Sequence, residues 1–471
     1  MTHIRSYFNK NNTLITNNLT NNSQNPVTEI SYGMVDKLVS RFIFDIDFIN
    51  LRDKIADGTI NSNRIVRHVL HMTNTIGRDL QYVGKKSYSE LIERATSFEL
   101  ELFNVSEDWD EGNGYEFMYD DTLASPVSIQ ASNWRDRKTN INWIEEGVYI
   151  SGVTDIIGSQ RFEKGNENIE IDITDYINQR LLGTGFTGTS AYTENSFGLG
   201  IKFINELENL ETDLKQAVAF HTKYTNTWFE PYIETTIDDV ITDDRNYFYQ
   251  DKDNELYLYV NFGGYAKNIV ISDVNIYDNN DKLVITLSGD SIINVSKGVY
   301  KIILNVNSVK YPDSVLFRDE WNMTVNGRET TFLGEFYIIS PENYYVFNQL
   351  GMIEFDNYHF YFCGINEREN IRTGDIRKIR LNIKELYQNQ NNFIPLDVEY
   401  RLYTTVGKNY EIDVIPFTKV NRTSAGYEFN LDTSWLIPQD YSIQIRMRNG
   451  NYFKTKQSVS FTVVNDKIFI G

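Results

Sequence analysis

The sequence predicts an all-β protein, a jelly-roll β-sandwich followed by two immunoglobulin-like β-sandwich domains. Three observations carry this. Short runs that alternate apolar and polar residues recur along the whole chain, which is the period of a half-buried strand. Helical periodicity is confined to brief stretches. The 471 residues, at about 150 per domain, ask for roughly three domains.

Residues 1–28 are rich in Asn and Thr and poor in aliphatics. Alone, such a segment buries too little surface to offset its ordering entropy, so it is expected as an extended N-terminal arm. It either packs on its own domain or reaches a neighbouring subunit. Residues 29–238 read as the jelly roll. Leu38 to Ile49 alternates around Arg41, Asp45 and Asp47; Ile65 to Met72 and Phe98 to Phe103 repeat the pattern. Ile169 onward begins as a strand and turns helical, with Thr174 or Asp175 as cap and Gly183 as stop. Phe197 to Phe203 and Ala217 to His221 add strands, and Thr227 to Thr235 closes the region.

The acidic stretch Asp238 to Arg245 marks a junction, and residues 239–340 form the first immunoglobulin-like unit. Its strands include Leu256 to Val260, Ile269 to Tyr277, Leu283 to Leu287, Gly298 to Val306 and Phe332 to Ile339, with Asp278 to Lys282 as a hairpin loop. A second junction near Ser340-Pro-Glu-Asn343 opens the unit 341–471. Its strands include Ile376 to Ile383, Leu396 to Tyr403, Tyr410 to Ile415, Tyr441 to Met447 and Val459 to Val464.

The charge sum is 45 basic minus 65 acidic, or −20, which argues against a nucleic-acid or anionic-membrane partner, since both need clustered Lys and Arg. Hydrophobic residues at 41% are enough for several cores. The single cysteine, Cys363, excludes an internal disulfide and a Cys-based zinc cluster; it reads as a buried small side chain. No apolar run approaches the roughly 20 residues needed to cross a bilayer, and the opening MTHIRSYFNKNNTLITNN lacks the hydrophobic segment of a secretory leader.

Motifs of catalysis are missing. There is no P-loop, no G-x-G-x-x-G after a strand, no G-x-S-x-G and no H-E-x-x-H. His68 and His71 form the one close histidine pair, but in a strand their odd separation puts them on opposite faces, so they read as sheet residues. Glu107-Asp-Trp-Asp-Glu-Gly-Asn-Gly114 offers oxygen ligands without the ladder of a calcium loop, and reads as a solvated, glycine-punctuated loop. Asp45/Asp47 and Glu99/Glu101 each share a face at strand spacing, which is the usual pattern of a solvated sheet. No catalytic residue, cofactor or metal is therefore expected. Trp109, Trp134, Trp143 and Trp228 remain as candidate interface anchors or sugar-stacking faces.

The order of elements in the first domain carries a resemblance. Arg41-Phe-Ile-Phe-Asp-Ile is followed by Val105-Ser-Glu-Asp-Trp-Asp-Glu-Gly-Asn-Gly-Tyr115. Ser132-Asn-Trp134, Thr139-Asn-Ile-Asn-Trp143 and Ile171-Asp-Ile-Thr-Asp-Tyr-Ile177 come next. Phe197-Gly-Leu-Gly-Ile and Phe229-Glu-Pro-Tyr-Ile-Glu end the series. This resembles the DNRLRE-type β-sandwich, a jelly roll related to carbohydrate-binding modules. With two trailing immunoglobulin-like modules and an Asn/Ile/Tyr-rich, Cys-poor composition, the whole is similar to neck and tail ring proteins of crAss-like tailed bacteriophages. For residues 240–471 that likeness rests on fold analogy alone.

The resemblance implies a virion structural protein made in the host cytoplasm. It would be a non-catalytic subunit of a cyclic ring of about twelve copies, packing against itself and other neck or tail proteins. The alternative is a carbohydrate-binding, host-receptor module on the virion surface, and a third reading is a polysaccharide-degrading enzyme.

Overall fold

The computed structural model describes residues 1–16, 20–32, 39–75, 97–115, 131–182, 196–209, 216–311, 316–339, 358–385, 397–407, 410–449 and 452–465. The fold is all-β, as the alternation predicts, and the chain divides into two compact bodies.

One body comprises Ile4–Asp53 and Val66–Thr236. Its strands are β1 (Thr2–Ile15), β2 (Val27–Tyr32), β3 (Ser40–Ile46), β4 (Ile65–Met72), β5 (Phe98–Asn104), β6 (Asp136–Lys138), β7 (Ile141–Asn142), β8 (Ile156–Phe162), β9 (Ile169–Asp172), β10 (Leu199–Phe203), β11 (Gln216–His221) and β12 (Tyr232–Ile237). Ten of them form one sheet in the order β8-β5-β10-β3-β1-β12-β4-β9, with β2 and β11 branching from β3. The two ends of this order meet through Gln160, which accepts from the Glu170 amide at 2.7 Å and donates to Asn168 O at 2.8 Å. The sheet thus curls on itself around an aromatic core. Phe8 stacks on Phe44 at 4.2 Å, Phe98 on Phe162 at 4.8 Å, and Phe203 joins them.

The N-terminal segment corrects the expectation of an arm. β1 lies between β3 and β12, pairing with β3 from Phe8↔Ile46 to Ile15↔Ser40. Its aliphatic poverty misled because the asparagines are buried as hydrogen-bonding groups rather than solvated (Asn11, Asn12, Asn21 and Asn22). Residues 29–238 are likewise not one continuous unit, since Lys54–Ile65 belongs to the other body. The Leu38–Ile49 strand ends at Ile46, and a helix runs from Ile49 to Ala56. The strand-then-helix reading at Ile169 matches, but the cap does not: Thr174 and Asp175 lie inside the helix Thr174–Leu182, whose first amide donates to Asp172 Oδ1 at 2.9 Å; Gly183 lies outside the described residues.

The second body comprises Met1–His3, Lys54–Ile65 and Ile237–Gly471. Its first sandwich contains β13 (Phe248–Tyr249), β14 (Asp253–Tyr259), β15 (Asn261–Phe262), β16 (Tyr265–Ala266), β17 (Val270–Tyr277), β18 (Leu283–Ser288), β19 (Ile293–Ser296), β20 (Val299–Asn305), β21 (Leu316–Val325) and β22 (Arg328–Ile339). The sheets β13-β22-β21-β17-β18 and β14-β20-β19 enclose Leu256, Val274, Ile302, Phe317, Trp321 and Phe336. Inside that core Asp319, with no exposed surface, accepts from Arg245 at 2.6 and 2.8 Å and from the Trp321 indole at 2.7 Å. A buried carboxylate needs such a full set of donors.

The last sandwich contains β23 (Tyr358–Cys363), β24 (Glu369–Arg372), β25 (Ile376–Glu385), β26 (Asp397–Val406), β27 (Tyr410–Lys419), β28 (Asn421–Thr423), β29 (Gly426–Asp432), β30 (Asp440–Asn449) and β31 (Tyr452–Val464). Its sheets are β23-β25-β29-β28 and β24-β31-β30-β26-β27, joined across the core where Tyr400 stacks on Phe429 at 4.1 Å. The expected boundary at residues 340–343 lies outside the described residues. Cys363 is exposed, not buried; it ends an edge strand, and Asn382 Nδ2 approaches its sulfur at 3.2 Å.

Candidate functional site

Three of the four candidate tryptophans, Trp109, Trp134 and Trp143, converge on loops laid over the outer face of β3, β5 and β10; Trp228 is not among them. Here Ile43 and Phe103 turn away from the aromatic core and meet Leu14, Val105, Trp109, Trp143, Val148 and Tyr149 in a second apolar cluster. The second glycine of Phe197-Gly-Leu-Gly-Ile makes room for it. A Cβ on Gly200 would lie 2.2 Å from the Phe103 ring.

Trp109 is 1% exposed and Trp143 5%. Each indole N–H is satisfied internally, Trp109 by Phe197 O at 3.0 Å and Trp143 by Asn133 O at 2.9 Å. Neither offers a face to an outside ligand or partner, which corrects the reading of both as anchors. They hold loops to the sheet instead. Trp134 is partly covered, with the Arg41 guanidinium 5.1 Å from its ring. Trp228, 39% exposed, is the tryptophan of the four that stays accessible.

The acidic loop is paired within the chain. Asp108 meets Lys138 at 2.5 Å and Lys10 at 3.9 Å. The Lys138 bond leads the causes that hold its carboxyl below the usual carboxylate range. Glu107 lies 3.4 Å from Arg137 and accepts the Ile144 amide at 3.0 Å. Asp110 is 3.7 Å from Lys138, and Glu111 bridges Lys223 at 2.8 Å and the Asn11 amide at 2.8 Å. The oxygens that read as calcium ligands are thus matched by cations and amides. Among the described residues no group of three or more His, Cys, Asp or Glu is placed to hold a metal ion.

The glycines of this loop serve contact, not ligand binding. Gly114 donates to Asn21 Oδ1 at 2.8 Å, and a Cβ there would lie 1.8 Å from Asn21 O. Asn21 Nδ2 donates to Glu111 O and Ser132 O at 2.7 and 2.8 Å, while Asn12 Nδ2 donates to Ser132 O at 2.8 Å and its Oδ1 accepts the Asn22 amide at 3.0 Å. The Asn-rich segment, the acidic loop and the Ser132-Asn-Trp134 turn form one polar clasp.

The remaining candidates separate. His68 is fully buried, Nδ1 2.8 Å from Thr235 Oγ1, and burial lowers its pKa to about 4. His71, on the opposite face, stacks on Tyr232 at 5.0 Å. Asp45 pairs with Arg180 at 2.8 Å; Asp47 Oδ1 accepts the Ile49 amide at 2.8 Å; Glu99 accepts from Ser159 at 2.6 Å; Glu101 lies 2.9 Å from Lys202.

The sequence reading passed over the face where Arg5 lies 4.0 Å above Tyr232, with Tyr7 and His71 beside that ring. Alternation of Arg5 with Tyr7 and of Tyr232 with Glu234 was the available signal. It also passed over Glu230, whose carboxyl burial pushes up to about 7 against the pull of Lys223. No helix among the described residues is long and apolar enough to cross a membrane.

No protein-family model and no curated protein matches this chain. Among solved structures, an endo-β-1,4-mannanase from Thermotoga petrophila aligns at 13% identity and TM-score 0.15, covering 28% of this chain and 27% of that one, so the chain spans about a quarter of the mannanase's length. The D00-D0 domain of Intimin aligns at 12% identity and TM-score 0.15, covering 47% of this chain and 96% of that one. Three N-terminal domains of the Highly Immunogenic Outer Capsid protein of bacteriophage RB49 align at 9% identity and TM-score 0.15, covering 57% and 84%. With TM-scores this low, none of the three bears on what this chain does.

Proposed function

We propose that this chain is a structural, non-catalytic subunit of a phage virion, one copy in an oligomeric ring of the neck or tail. It packs against itself and against other tail proteins. The observation that carries the reading is that the candidate chemical groups are engaged within the chain while large apolar side chains stand exposed. Trp109 and Trp143 are turned inward to fasten loops, and the carboxylates singled out as reactive are engaged by cations, amides or hydroxyls of the chain itself. The two trailing sandwiches meanwhile leave large apolar side chains outside, among them Tyr265, Leu333, Tyr337, Ile376 and Phe453, each more than half exposed. Where such side chains share a face, as Leu333 and Tyr337 do along β22, they offer apolar surface that another protein could cover.

Proteomics and electron microscopy of purified particles test the proposal. The expected result is this polypeptide at a fixed copy number in a ring; particles without it refute the reading. A glycan-binding module remains the second reading because Trp228 is accessible. It requires glycan-array binding that Trp228→Ala abolishes.

A further inference from the structure

Lysine is seldom fully buried, because its amine is costly to take out of water. Lys202 has no exposed surface. It lies near the end of β10, directly opposite Glu101 of β5. Two residues on from Gly200, it shares the face that carries Phe103 and the second apolar cluster. Its Nζ donates to Phe203 O and to Asn205 Oδ1, each at 2.8 Å. It also lies 2.9 Å from Glu101 Oε2 and 4.2 Å from the centre of the Tyr149 ring. Glu101 Oε2 is itself buried and makes no aligned hydrogen bond among the described residues. The Asn205 amide is held from its far side, where Nδ2 donates to Tyr149 Oη at 3.2 Å and to Ser151 Oγ at 3.3 Å. An amine, a carboxamide and a carboxylate oxygen thus meet under one aromatic ring.

We propose that Lys202 and Asn205 join in a self-formed isopeptide bond, with Glu101 as the base. The ammonium gives one proton to Glu101 Oε2, which frees the lone pair of Nζ. Nζ then attacks Asn205 Cγ, the carbon bonded to the oxygen it already contacts, so the reacting groups need no further search. The Nζ–Cγ bond forms while the carbonyl electron pair moves onto Oδ1. The pair returns, the Cγ–Nδ2 bond breaks, and a second Nζ proton goes to the departing nitrogen. Ammonia leaves past Ser151, where the Nδ2 contact is exposed. The products are a secondary amide, a protonated Glu101 and ammonia, so atoms and charge balance with no other reactant.

The gain is electrostatic rather than entropic. A link across three residues closes too short a loop to restrict the unfolded chain much. It exchanges a buried ion pair for neutral groups, which removes a desolvated cation. It also fixes the first residue of the short helix Asn205–Glu208, whose Glu208 accepts from Arg41 at 2.7 Å. The bond forms within one chain and does not depend on the ring reading.

Tryptic mapping of the purified, denatured full chain tests it. Trypsin cuts after Lys202 only where its amine is free. The expected product is one peptide, residues 181–215, lighter than its sequence by about 17 Da because ammonia has left. Fragmentation should place the loss between Lys202 and Asn205. Lys301, buried against Glu255 at 2.5 Å, is the internal control and should be cut normally. Asn205→Ala and Lys202→Arg should both be cut at residue 202. Glu101→Gln, with unchanged circular dichroism, should lose the link. Complete cleavage after Lys202 in the wild type, or residues 181–215 at unreduced mass, overturns the proposal and leaves Lys202 an ordinary buried ammonium. A Glu101→Gln chain that links as fully as the wild type overturns the part given to Glu101.

Discussion

Gly114→Ala is the substitution that separates a clasp from a ligand loop. The new methyl would lie 1.8 Å from Asn21 O and 2.5 Å from Asn21 C, both main-chain atoms that no rotamer change can move aside. To admit it, the two backbones must part. That sacrifices the Gly114 amide bond to Asn21 Oδ1 at 2.8 Å and the Gln24 amide bond to Gly114 O at 2.9 Å. Overpacking costs about 1–3 kcal/mol, and each buried hydrogen bond about 1 kcal/mol, so the total is about 3–5 kcal/mol. For a body of this size that lowers the melting temperature by roughly 10 °C. Gly152→Ala is the control: nothing lies within 4 Å of its Cβ, and only its φ of +75° opposes the change, at about 1 kcal/mol. Hydrogen exchange of residues 9–16 and 20–25 is the local readout, and these amides should lose protection in Gly114→Ala and keep it in Gly152→Ala. Equal behaviour of the two variants would mean that the close approach carries no weight and that the glycines are there for another reason.

Other outcomes follow from the same geometry. Asp319→Ala strands Arg245 and the Trp321 indole, and should cost the first trailing sandwich about 3–5 kcal/mol in urea unfolding followed by Trp321 fluorescence. EDTA or added calcium should move the melting temperature by less than about 1 °C, because the loop carboxylates already have cationic or amide partners. Burial lowers the His68 pKa from the usual 6.5 to about 4, so the unfolded chain binds the extra proton; stability falls as pH drops from 6.5 to 4, by about 3 kcal/mol, and His68→Gln should flatten that slope. Glu230 acts in the opposite sense. Its native pKa of about 7 lies above the usual 4.5, so stability falls as pH rises through that interval, and Glu230→Gln should be the more stable chain at pH 8 by about 2–3 kcal/mol.

The sandwiches were legible where one face of a strand is apolar and the other polar. Ile65–Met72 coincides with β4, and Leu283–Leu287 with β18 but for one residue. β1 was not legible, because Asn11, Asn12 and Thr13 are all buried and no period survives when both faces are covered. Nor does an asparagine announce its partner. Asn12 bonds to Ser132 and Asn21 to Glu111, about a hundred residues away. The acidic loop failed for the same reason. Its charge was visible, but Lys10, Lys138 and Lys223, which answer it, are scattered along the chain. Tryptophans in loops read equally well as anchors for a partner or for the loop itself. The burial of Trp109 and Trp143 decides it, and periodicity holds no trace of that choice.

Where this chain meets others is therefore better sought away from its most conspicuous motif. In the body that holds the ten-stranded sheet, tryptophans and carboxylates are largely engaged in pinning 105–114 and 131–149 to the sheet, and groups bonded in this way have little left to exchange with a partner. Large apolar side chains stand outside in both bodies, Ile144 and Val153 in the first among them, but in the trailing sandwiches many of them lie on regular strands. Trp321, Tyr400 and Phe429 fill cores, yet Leu283, Ile285, Phe332, Leu333 and Tyr337 stand outside on strands whose backbones are already held by the ladder. Side chains on such strands lose little further freedom on docking, so their burial converts more fully into affinity than burial of a mobile loop would. Cross-linking followed by mass spectrometry distinguishes the two locations. Links between copies should concentrate at residues 252–339 and 368–454 and be fewer at 105–149; the reverse distribution would return the tryptophan loops to the role their sequence first suggested.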